Sequence, residues 1–214
     1  MDIQDLRKLV GQEQIDYQFL TSALNAYSRP RDKISSWLQS GELLRVKKGI
    51  YVFGKRIADI PYSLETLANL IYGPSAISLS YALSYYGLIP ERVSIVTSVT
   101  PKRHKQFSTP VGNFTYTYLT LKKYMVGIEL HTNASKQHFL IASPEKALCD
   151  QLLLIDKKIQ LTSLTDIEFY LLEDLRIDEE TLIKLSCKKL KEIATAYQNK
   201  KIDMLLKYRQ KIGR

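Results

Sequence analysis

Apolar positions along this chain recur first with a helical spacing and later with an alternating one. Ile3, Leu6, Leu9 and Val10 share one helical face and predict a helix over 2–10. Phe19, Leu20 and Leu24 predict a second, with Asp16 placed to cap it. A third is expected from about Pro30, a residue suited to the first helical turn, with Ser28 or Arg29 before it. It should stop at Gly41. Within it Ile34, Trp37 and Leu38 fall at i, i+3 and i+4 and face a core, which leaves Asp32, Ser35, Ser36 and Gln39 as a polar stripe opposite. Segments 43–46 and 50–53 then read as a hairpin turning at Gly49.

A polar stretch at 55–61 reads as a linker. Helices are expected at 63–72 and 75–86, the second with Ala76, Leu79, Leu83 and Tyr86 on one face. Strands are expected at 94–99, 114–119, 127–132 and 138–142, where β-branched and aromatic residues accumulate. From Ser143-Pro144-Glu145, a cap, a first-turn proline and an acid, the pattern is helical to the end. The fold class is therefore α+β. Residues 1–58 have the element order of a winged helix-turn-helix domain. Residues 62–214 form a mixed α/β domain ending in a helical segment. Residues 66–90 carry no charge, but Gly73-Pro74 divides them and Ser75, Ser78, Ser80 and Ser84 line the second half. Two short buried helices explain them better than a membrane span. Asp2, Asp5 and Arg7 interrupt any signal-peptide core, so a cytoplasmic protein with no membrane partner is expected.

Charge changes the picture most. The chain is +9 overall, and residues 28–56 alone contribute +6. Residues 184–214 contribute +8, and the rest is mildly acidic. Such a balance implies a polyanionic partner, nucleic acid first and an anionic membrane surface second. Ser35, Ser36 and Gln39 carry groups suited to base edges. Arg29, Arg31 and Lys33 stand at the start of the same helix, where phosphate is held. Arg45, Lys47 and Lys48 surround the hairpin turn and suit phosphate or minor-groove contact. Lys102, Arg103 and Lys105 form a compact basic loop, a candidate second contact for DNA or for a protein. The lysines of 184–214 read as a solvated helical face.

Candidate chemistry is sparse. Cys149 and Cys187 belong to no C-x-x-C pair and read as free thiols of a reducing compartment. His104, His131 and His138 lack metal-ligand spacing, and there is no glycine-rich phosphate loop or G-x-S-x-G motif. No metal or cofactor is expected. Glu145, Lys146 and Asp150 are the nearest approach to a nuclease site, but their helical spacing fits capping and surface roles equally. The carboxylates from Asp166 to Glu180 look like a solvated face. The expectation is therefore no enzyme. The alternatives are a winged-helix protein-interaction module with basic surfaces and a DNA-directed nuclease.

Five blocks, in order, resemble the AbiEi family of antitoxins: GELLRVKKGIYVFG (41–54), SAISLSYALSYYGLIPE (75–91), SIVTSVTPKRHKQF (94–107), GNFTYTYL (112–119) and IASPEKALCD (141–150). They cover most of residues 30–155, and the later blocks are more specific than the basic hairpin. The resemblance implies a transcriptional autorepressor and antitoxin of a type IV toxin–antitoxin system acting in abortive infection, a phage defence. It implies an N-terminal domain that binds inverted repeats in its own promoter. It also implies a C-terminal domain that counteracts a nucleotidyltransferase-like toxin encoded alongside, without requiring a stable complex. A regulator without an antitoxin role is the further alternative.

Overall fold

The computed structural model describes residues 1–156 and 158–213 and is α+β. Helix α1 (Ile3–Val10) opens on a reciprocal cap: the Asp2 carboxylate accepts from the Asp5 amide, and the Asp5 carboxylate accepts from the Asp2 amide. Strand β1 (Gln14–Asp16) leads directly into α2 (Tyr17–Ala23), where Asp16 accepts from the Phe19 amide at 2.7 Å. Phe19 departs from its expected place beside Leu20 and Leu24, because it is exposed while both leucines are buried. Helix α3 (Pro30–Gln39) follows Arg29 and ends just before Gly41, whose φ of 73° turns the chain into the hairpin. The hairpin is β2 (Leu43–Lys47) with β3 (Ile50–Phe53), and β1 adds to the free side of β3, giving the order β1-β3-β2. A three-residue strand such as β1 has too little pattern to announce itself and exists because β3 supplies its partner.

After α4 (Leu64–Ile71) the chain builds a mixed six-stranded sheet. Its strands are β4 (Ala76–Ile77), β5 (Val96–Thr100), β6 (Lys105–Thr109), β7 (Gly112–Tyr118), β8 (Ile128–Thr132) and β9 (His138–Ala142), in the order β6-β7-β5-β4-β9-β8. The helix expected over 75–86 does not form over that length. Ala76 and Ile77 form a central strand between β5 and β9, and only Leu79–Tyr85 is helical, as α5. Both Ala76 and Ile77 are fully buried, and a short apolar run buried on both faces carries no period that separates strand from helix. The turn between them places Leu79 at φ 62°, a left-handed conformation rare for leucine. Lys105 is likewise not in a loop: it opens β6, which pairs antiparallel with β7. Short helix α6 (Leu121–Tyr124) and α7 (Pro144–Asp150) flank the last two strands, and α7 runs on through a wider turn at Gln151–Ile155. Helices α8 (Leu164–Phe169), α9 (Glu179–Lys184), α10 (Cys187–Tyr197) and α11 (Lys200–Ile212) complete the chain.

Buried apolar residues fall into two clusters. The smaller joins Ile3, Leu6, Leu20, Leu24, Ile34 and Trp37 to Leu43, Tyr51 and Phe53. The larger spans the six-stranded sheet and the C-terminal helices, and it also takes in Val46 and Val52. The hairpin is thus buried on both faces, one in each cluster, which explains its unbroken Ile-Tyr-Val-Phe run. Polar bonds cross the same seam: the Ile60 amide donates to Glu13 at 3.2 Å, and Gln137 donates to Gln14 at 3.2 Å.

Candidate nucleic-acid interface

Helix α3 presents the expected two faces. Ile34 and Trp37 are buried, and Leu38 is half-buried against the same cluster. Asp32, Ser35, Ser36 and Gln39 are exposed. Among the described residues the side chains of Ser35, Ser36 and Gln39 make no hydrogen bond, so their donors and acceptors are free for a ligand. Arg29 sits before the helix, 3.9 Å from Asp32, with both side chains largely solvated, so the pair contributes little. The Lys33 ammonium lies over the Trp37 ring, 5.3 Å from its centroid.

Two grooves adjoin at Tyr17. One, of about 740 Å³, is lined by Asp16, Tyr17, Gln18 and the hairpin residues Arg45, Lys48, Gly49 and Tyr51. The other, of about 640 Å³, is lined by Tyr17, Thr21 and the segment from Ser28 to Asp32, including Arg29 and Arg31. The Tyr17 amide donates to the Gly49 carbonyl at 3.0 Å, which ties the start of α2 to the hairpin turn. Arg31, Arg45 and Lys48 have no carboxylate partner among the described residues. The result is a concave strip in which these three cations are unpaired, with Tyr17 at its middle and Asp16 and Asp32 also on its walls. Tyr17 and Gln18 were not anticipated; only their position just after a capping aspartate hinted at them.

Lys47 departs from its expected place at the hairpin tip, and the cause is a bulge. Arg45 pairs with Tyr51 and Lys47 with Ile50, so one extra residue, Val46, separates two consecutive partners. Regular alternation would put Arg45 and Lys47 on one face. The bulge sends Arg45 to the Tyr51 face and Lys47 to the opposite one. There Lys47 donates to the Ile71 carbonyl at 2.7 Å and lies 5.3 Å from the Phe107 ring centroid. Lys102 donates to the Gly73 carbonyl, and Lys102 and Lys105 both lie over Tyr72. Three ammonium groups therefore meet at the C-terminal end of α4 around Tyr72 and Phe107, with no carboxylate paired to any of them among the described residues. Partial burial, reinforced by Lys105 and Lys102, holds the Lys47 pKa below its ordinary value. Arg103 and His104 are exposed beside this corner.

The other candidates settle into structural positions. The C-terminal cations are partly used by the fold: Lys189 pairs with Glu129 at 2.6 Å, and Arg209 donates to the Leu185 carbonyl at 2.9 Å. Arg214 lies outside the described residues. Glu145, Lys146 and Asp150 are not on a surface, contrary to the capping-and-surface reading; all three are buried. Lys146 donates to Tyr197 at 2.6 Å and to the Lys123 carbonyl at 2.9 Å, and it lies 3.4 Å from Asp150. Ser78 donates to Asp150 Oδ2 at 2.6 Å, and the Tyr197 hydroxyl donates to Asp150 Oδ1. Burial pushes the Lys146 pKa down, with Asp150 opposing, and pushes the Cys149 thiol up. No group of three or more metal-ligating side chains occurs among the described residues, and no described helix is long and apolar enough to cross a membrane. Cys149 and Cys187 are free.

No protein-family model and no curated protein matches this chain.

Proposed function

We propose that the protein is a DNA-binding transcriptional autorepressor and antitoxin of the AbiEi type. In this reading α1, α2, α3 and the β2–β3 hairpin are a winged helix-turn-helix. Helix α3 enters the major groove, with Ser35, Ser36 and Gln39 toward the bases. Arg29, Arg31, Arg45 and Lys48 grip the backbone from the two adjoining grooves, and the grouping there of Arg31, Arg45 and Lys48 without carboxylate partners among the described residues is the observation that carries the reading. Lys102, Arg103 and Lys105, joined by Lys47, form a second basic corner for DNA or for the toxin. The antitoxin half rests on the resemblance of the blocks between Gly41 and Asp150. The toxin it points to is nucleotidyltransferase-like, encoded alongside and countered with or without a stable complex.

Two measurements test the reading. Fluorescence anisotropy with the native promoter fragment and a shuffled duplex at physiological salt should show clear preference for the promoter. Equal binding to both would refute promoter recognition. Co-expression with the product of the adjacent gene should relieve its toxicity, and undiminished growth arrest would refute the antitoxin half.

A further inference from the structure

The six-stranded sheet has two edges, and they are treated differently. The β6 edge begins with Lys105 and has β2 lying against it. Lysines and covering elements are the ordinary devices that keep an edge from pairing. The β8 edge carries neither lysine nor proline (its sequence is Ile-Glu-Leu-His-Thr). The Ser143 amide donates to the Gly127 carbonyl, and the Asn133 amide to the Gln137 carbonyl. Odd-numbered residues are therefore the ones bonded to β9, and alternation turns the amides and carbonyls of Ile128, Leu130 and Thr132 outward.

We propose that this edge pairs with the same edge of a second copy of the chain, antiparallel, about a two-fold axis at Leu130. Three features of β8 are self-complementary in that register. Leu130 meets its own counterpart, and the two exchange both backbone hydrogen bonds. Glu129, which Lys189 and His131 of its own chain already contact at 2.6 and 3.3 Å, stands directly opposite the partner's His131, and His131 opposite the partner's Glu129, in the closer, non-hydrogen-bonded type of pair. On the other face Leu130 already lies beside Leu140, its cross-strand neighbour, and these leucines are 67% and 37% exposed. Pairing of two copies extends them into a continuous ladder of four leucines across the axis and removes apolar surface from water. One strand edge is a small interface, so association belongs to high protein concentration or to copies held close together.

A cysteine scan in the full chain, in a Cys187→Ser background with buried Cys149 retained, tests the register. Directly opposed Cα atoms at Leu130 would stand about 5.5 Å apart, within the span of a disulfide. Leu130→Cys should oxidise to a dimer about tenfold faster than Tyr118→Cys, a comparably exposed site on β7. Glu129→Cys mixed with His131→Cys should cross-link, and either alone should not. Sedimentation at high concentration should show a dimer for the wild type that Leu130→Lys abolishes. Equal cross-linking at positions 130 and 118, or a wild type that stays monomeric at the highest soluble concentration, would overturn the proposal.

Discussion

Lys47 and Lys48 are neighbours in sequence, yet the bulge at Val46 gives them separate tasks. Lys48 lines the groove beside Arg45 and Tyr17. Lys48→Ala should weaken all duplexes alike and reduce the salt slope of binding by about one. Ser36→Ala or Gln39→Ala should instead shrink the preference for the promoter over shuffled DNA, by about 1–3 kcal/mol for a lost bidentate contact. Titrations at several salt concentrations separate the two effects, and unchanged binding in both variants would remove α3 and the hairpin from the interface. Lys47 predicts a pH dependence. Its folded pKa lies below the unfolded one, so between the two the unfolded chain holds the proton more tightly. The destabilisation is present at neutral pH and fades as pH rises through the folded value toward about 10.4, the ordinary lysine value. Wild-type Tm should therefore gain on that of Lys47→Gln as pH rises toward about 10.4, and a constant difference would contradict it. The polar stripe of α3 was legible in the sequence, since i, i+3, i+4 spacing survives folding. The destination of Lys47 was not, because a bulge depends on the pairing of two strands.

At the level of elements, helices with caps were legible and short central strands were not. Asp16 before α2, and Ser143-Pro144 before α7, sit where the sequence places them. Strand β4 hides inside an apolar run whose partners, β5 and β9, lie far along the chain. Helix α7 shows a second limit. Spacing makes Lys146 and Asp150 an ordinary i, i+4 surface pair, but burial between α5 and α10 turns them into a closed network with Ser78 and Tyr197. Removing one member leaves the other charge buried. Lys146→Met should lower unfolding stability by about 3–5 kcal/mol, read from urea denaturation, and Lys146→Met combined with Asp150→Leu should recover much of it. A loss below about 1 kcal/mol, the range of an exposed pair, would show that the pair is solvated.

Over the whole molecule, the linker expected at 55–61 gave no hint of the seam that joins the parts on either side of it. Val46 and Val52 give the hairpin's second face to the larger cluster, and the Lys47–Ile71 and Gln137–Gln14 bonds cross at the same level. The two parts should consequently melt together: calorimetry should give one transition whose van't Hoff and calorimetric enthalpies agree, and two resolved transitions would refute the coupling. The unequal edges of the large sheet carry a consequence for assembly. A sheet that can recruit a neighbour along one side only is spent after a single pairing. Union through β8 is therefore self-limiting: it ends at two copies and leaves no free β8 edge on which a further copy could add.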